Sequence, residues 1–141
     1  IDAATILLKT LVEPIEVIRD LKIKRPMGSK LAKAKYKRLE SWRSARSVRN
    51  IHLNIQSLDA LYKGLKNLLP RSDIEAIDTL FAKTLQQINA LHAPMKDSIN
   101  TPNSYASMTQ LAQTLSLLHA QLENSVGKLG IHLGFNSRDG D

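Results

Sequence analysis

The sequence predicts an all-α protein: an up-and-down helical bundle of about four helices within a single domain of 141 residues. Three observations lead there. Apolar residues recur at alternating spacings of three and four through three long stretches and one shorter one. No stretch shows the period-two alternation of a half-buried strand, and the connections between the periodic stretches are short. With 43% hydrophobic residues, the chain can fill one ordinary core but not two comfortable ones.

The first element covers residues 1–18, with Ile6, Leu7, Leu11, Ile15 and Ile18 at helical spacing. Pro14 lies inside it; its ring removes an amide donor and crowds the preceding turn, so it should kink the helix or mark an internal start. Residues 20–29 read as a connector, because Pro26 disfavours helix at Arg25 and Gly28-Ser29 can end a turn. Residues 30–39 are mostly basic with few apolar anchors and read as an irregular or partly helical approach to the next element.

Residues 40–69 form the most distinctive stretch. Val48, Ile51, Ile55, Leu58, Tyr62, Leu65 and Leu69 make one helical stripe. A second line, Leu53, Ala60, Leu61 and Leu68, widens it, as expected of a helix packed against more than one neighbour. Its front end is unusual. Arg43, Ser44, Arg46, Ser47, Arg49, Asn50 and Asn54 place donors and small hydroxyls where a merely solvated helix more cheaply carries Glu, Lys or Ala.

Pro70-Arg71 interrupts the pattern. Ser72 and Glu75 then have capping-box spacing, the hydroxyl accepting from the third helical amide and the carboxylate reaching back. Ile74, Ile77, Phe81, Leu85, Ile88, Leu91 and Met95 mark the apolar face of this third helix, which should end near Pro94. A polar loop over residues 98–104 follows. Tyr105, Met108, Leu111, Ala112, Leu115, Leu118, Leu122 and Val126 describe the last helix, with Gly127 and Gly130 at its end.

The net charge of +7 is unevenly placed. Residues 22–49 hold eleven of the twenty Lys and Arg against one acid, Glu40, a local balance of +10, leaving −3 for the remainder. Such a segment can face phosphate, lipid headgroups, nucleic acid or an acidic partner, or be a solvated loop and helix end. Aromatic interleaving is slight and no nucleic-acid module signature is present, so nucleic acid is not the expected partner. Zero cysteines exclude disulfides, thiolate metal sites and Cys nucleophiles. Residues 98–122 carry no formal charge, but Asn, Ser, Thr, Gln and Pro102 interrupt them, so no transmembrane segment is expected. The chain begins at Ile1 with neither Met nor a charged-then-apolar leader, which reads as a processed or truncated start.

Spacing alone points to little chemistry. His119 and Glu123, four apart, can share a helix face, but no third ligand accompanies them; they read as a surface or interhelical pair. His52 and His92 read as structural histidines. There is no HExxH, no glycine-rich phosphate loop and no setting for a Ser nucleophile. Asn136, Asp139 and Asp141 in the tail offer hard oxygen ligands for cations or acceptors for arginines, and neighbouring glycines let that backbone turn sharply.

Two segments carry a resemblance. WRSxRS, from Trp42 to Ser47, and GFNxxDGD, from Gly134 to Asp141, resemble the C-terminal half of the imelysin family, once classed as peptidases and related to periplasmic iron-uptake proteins. The resemblance implies an all-α protein of two bundle-like halves, periplasmic or held on an outer membrane, with a site between the halves. It implies second-half contributions from Arg43, Ser44, Ser47, Asn136, Asp139 and Asp141, with Arg43 pairing bidentately with a tail Asp. The family's GxHxxE signature, whose His and Glu are its proposed metal ligands, is absent here. The chain is therefore expected to be the second half of a longer protein. Its partner would be the missing N-terminal half, or a second copy docked through an apolar face; iron or another divalent metal would belong to the intact protein. Three functions remain: an iron or ligand uptake component, which the resemblance favours; a metallopeptidase whose ligands lie elsewhere; and a basic helical module binding an acidic partner or nucleic acid.

Overall fold

A computed structural model describes residues 2–24, 46–91 and 102–131, the side chains of residues 46, 47 and 102–105 excepted. Four helices account for nearly all of them, and no strand occurs among the described residues. Helix α1 spans Ala3–Val17 and runs directly into a π-helical segment, Ile18–Lys24; α2 spans Arg46–Leu65, α3 Arg71–Asn89 and α4 Pro102–Gly127. Each helix packs chiefly on two neighbours, in the ring α1–α2–α3–α4–α1. Directions alternate around the ring. Tyr62 near the end of α2 meets Ile74 and Asp78 near the start of α3, Asp73 at the start of α3 meets Ser125 near the end of α4, and Arg19 meets Ser116. The up-and-down bundle expected from the sequence is the observed architecture.

Helix α1 starts where Asp2, in extended backbone, accepts a hydrogen bond from the Thr5 amide at 2.8 Å, satisfying one of the orphan N–H groups of the first turn. Pro14 does not divide it; the helix continues through the ring to Val17. Leu8, Leu11, Val12 and Ile15 are buried, and the wider π-helical turn still buries Ile18 and Ile23. The expected connector at residues 20–29 is therefore corrected for its first part: residues 20–24 are helical because Ile23 has a core position to fill.

Along α2, Ile51, Ile55, Leu58, Tyr62, Leu65 and the following Leu69 are buried and Val48 packs against their edge. The second line is corrected. Leu61 is half-buried, but Leu53 and Leu68 stay 52% and 47% exposed and Ala60 is exposed, because the ring presents only one face of α2 to its neighbours. A short 3-10 turn, Lys66–Leu68, leads to Pro70, which occupies the cap position of α3 with φ −55° and ψ 131°. The capping box is corrected too: Ser72 lies inside the helix and exposed, and the cap position makes no side-chain hydrogen bond. Proline at the cap leaves no hydroxyl there, while its carbonyl accepts from the Asp73 amide at 3.0 Å.

Ile77, Phe81 and Ile88 turn the apolar face of α3 inward, and the Phe81 ring stacks on Tyr62 with centroids 4.9 Å apart. Helix α4 begins earlier than expected, so residues 102–104 of the anticipated loop are helical, with proline at the first helical position, where its missing N–H costs nothing. Met108, Leu111, Leu115, Leu118, Leu122 and Val126 are essentially inaccessible to solvent. The helix ends at Gly127, and Gly130, at φ 79°, adopts the left-handed conformation that permits the final turn.

Truncating Leu115 to Ala should lower the unfolding free energy by about 2–5 kcal/mol, whereas Leu53→Ala should change it by less than about 0.5 kcal/mol. Urea titration of the two variants distinguishes the buried stripe from the exposed line.

Candidate functional site

Among the described residues, three polar clusters bridge the helices. On the α1–α4 seam, Arg19 donates from Nε and Nη2 to the Asp20 carboxylate at 2.7 and 3.0 Å and from Nη1 to Ser116 Oγ at 3.3 Å, and it lies 3.7 Å from Glu16. The hydrogen bond to Asp20 raises the guanidinium pKa further above its ordinary value, against the opposing effect of burial. One turn along α4, His119 Nε2 is 3.7 Å from Glu16 and 3.9 Å from Glu123. His119 and Glu123 are thus part of the interhelical pairing read from their spacing, with Glu16 as the member from the other helix.

On the α3–α4 seam, the carboxylate of Asp73, only 7% exposed, accepts from Ser125 Oγ and from Lys128 Nζ at 3.0 and 3.1 Å. The Ser125 bond first, then Lys128, holds this carboxyl below the usual aspartate range. On the α2–α3 seam, Tyr62 donates to Asp78 at 2.7 Å while Lys66 lies 3.6 Å from the same carboxylate. Burial, followed by the bond to Asp78, pushes the Tyr62 phenol well above its ordinary pKa. None of these clusters was legible as a site. The signals were the i,i+4 spacing of His119 and Glu123, Asp73 in the first turn of a helix and Lys128 just past the end of another, all commonplace.

A groove of about 580 Å³ lies beside the first seam, lined by Lys24, Thr109, Ala112, Gln113, Ser116 and Leu117. A smaller one of about 290 Å³ lies between α1 and α2, where Pro14, Val17 and Lys22 face Asn54 and Ser57.

The side chains assigned to a site by resemblance lie outside the described residues. Arg43, Ser44, Asn136, Asp139 and Asp141 lie outside the described residues, as does His92; Ser47 falls in the first turn of α2, with its side chain outside the description. His52 is half-buried on α2.

A closed ring of four antiparallel helices with polar seams defines a helical-bundle protein. The family model described as imelysin matches residues 2–122, and the chain belongs to that family. The match includes Arg43, Ser44 and Ser47 and stops short of Asn136, Asp139 and Asp141. No curated protein and no solved structure matches the chain significantly. Family membership is a coarse pointer to an extracytoplasmic location. Among the described residues, no helix is long and apolar enough to cross a membrane.

The described residues do not fit the metal that the family implies. No group of three or more His, Cys, Asp or Glu among them is placed to hold one. At the nearest approach, Glu16, His119 and Glu123, the Glu16 carboxylate already has Arg19 as its cation.

Asp73 gives a pH test. Its folded pKa is lowered, so its contribution is complete above the ordinary aspartate pKa of about 3.9 and is lost as pH falls through the lower folded value. Asp73→Asn should melt below the parent protein at pH 7, and the gap should close as pH falls below about 4 in thermal melts followed by circular dichroism.

Proposed function

We propose that the chain is the second bundle of an imelysin-family protein of the periplasm or outer membrane that takes part in uptake of iron or another ligand. In this reading Arg43, Ser44 and Ser47, leading into α2, and Asn136, Asp139 and Asp141, beyond α4, contribute to a site completed by another bundle. The observation that carries the proposal is the family match, which spans all four helices almost to the end of α4 and includes the Arg43–Ser47 lead-in.

The ring adds a geometric argument for shared assembly. Helix α2 begins at one end of the bundle and α4 finishes at the other, since the end of α2, the start of α3 and the end of α4 meet. Twenty helical residues of α2 separate those ends by about 30 Å at 1.5 Å per residue. Asp139 lies eight positions beyond Ile131, a reach of about 26–29 Å for extended chain. Spanning about 30 Å inside one chain would take all of that reach; pairing across two bundles, either a missing half or a second copy, needs no such span. A peptidase would need a metal-activated water, and the described residues supply no donor set for one.

The test uses the full encoded protein, purified from iron-replete cells and analysed for bound iron by mass spectrometry of the metal. Arg43→Ala and Asp139→Ala should each lose roughly tenfold or more of the retained iron, about 1.4 kcal/mol or more of binding, with unchanged melting temperature. Full iron retention in both variants would contradict the proposed site.

A further inference from the structure

The groove between the π-helical segment and α4 has a composition that the bundle itself does not require. Its volume of about 580 Å³ falls within the roughly 300–1,000 Å³ typical of small-molecule sites. Ala112 and Leu117 supply apolar surface, and Leu117 remains 57% exposed, the largest exposure among the described bulky apolar side chains. Thr109, Gln113 and Ser116 are neutral hydrogen-bonding residues, and Lys24 is the one charged residue of the described lining.

The neighbouring carboxylates do not cancel that charge in the groove. Asp20 holds two bonds from Arg19, and Glu16 lies between Arg19 and His119. Ser116 accepts from Arg19 and donates to the Ala112 carbonyl at 3.1 Å, so its hydroxyl is fixed in orientation. Around the groove, the exposed positions of α4 from Ala106 to Ala120, namely Ala106, Gln110, Gln113, Leu117 and Ala120, carry no charge, the first exposed charge on the helix being Glu123 one turn beyond, whereas α2 and α3 expose Arg49, Lys63, Arg71, Glu75 and Lys83. A solvated helix face ordinarily carries charged residues, as those of α2 and α3 do.

We propose that this groove binds a small amphipathic monoanion, with its apolar body on Ala112 and Leu117 and its anionic head at Lys24. Concavity selects a small molecule over a flat membrane surface, and the cation at one side of a described lining that is otherwise uncharged selects the sign of the head. The inference is independent of the uptake reading, since it uses none of the residues placed in that site.

Three probes with the same ten-carbon tail test it: decanoate, decanol and decyltrimethylammonium, each titrated calorimetrically below its micellar concentration into the full chain. Decanoate should bind one to one, roughly tenfold or more tighter than decanol, with decyltrimethylammonium weakest. Lys24→Glu should weaken decanoate by roughly tenfold or more and reverse the order of the charged probes, Leu117→Asp should abolish binding of all three, and Lys83→Glu on α3 should leave the titrations unchanged. Both groove positions are exposed, so circular dichroism should confirm an unaltered fold. Equal affinity for the three heads, indifference to Lys24→Glu or Leu117→Asp, stoichiometry well above one, or no binding of any probe would each overturn the proposal.

Discussion

The buried line of α4 is the constraint on which the rest of the bundle depends. Helix α1 packs on one flank of it and α3 on the other, and α2 closes the ring without an extensive contact of its own to α4. Leu111, Leu115, Leu118 and Leu122 have no accessible surface at all. Each such side chain contributes about 1.5–3 kcal/mol by leaving water, and that drive has no preferred direction. Direction comes from the polar seams. Asp73 with Ser125 and Lys128 fixes α3 against the end of α4, while Arg19 with Ser116 and Glu16 with His119 fix α1 farther along it. A slide of either helix by one turn would leave half-buried carboxylates without these partners, which costs far more than an exposed ion pair returns.

Much of the fold was legible because burial follows the helical period. The stripes of α2, α3 and α4 and the glycines that end α4 follow from spacings of three and four and from the end signals of helices. The misreadings have physical causes. Leu53, Ala60 and Leu68 keep the helical period but point away from both neighbours, and periodicity alone cannot count neighbours. Ser72 and Glu75 have the spacing of a capping box, yet Pro70 takes the cap position two residues too early for that hydroxyl. The extension of α1 to Lys24 was hidden because a π-helical segment does not keep the 3.6-residue period by which Ile23 would have been recognised as core.

The candidate site was less legible than the fold, and for a different reason. Interhelical partners such as Asp73 and Ser125, or Arg19 and Ser116, are 52 and 97 residues apart and become neighbours only once the ring closes. The WRSxRS segment stands out locally, and the family match covers it. What it faces is a tertiary matter. Alternation of helix direction also places the end of the π-helical segment and the start of α2 at the same end of the bundle, so the strongly basic stretch of residues 22–49 leaves and rejoins the ring there. The groove beside Lys24 borders that same end.

The most direct test of this architecture is native-state amide hydrogen exchange on the 141-residue chain, read residue by residue. If α4 is the wall on which the others pack, its amides from Leu111 to Leu122 should exchange only through global unfolding, those of α1 and α3 facing it should come close, and the outer turns of α2 should open first. Fast exchange along α4 with slow exchange confined to α2 would contradict the account and make α2 the helix on which the others pack.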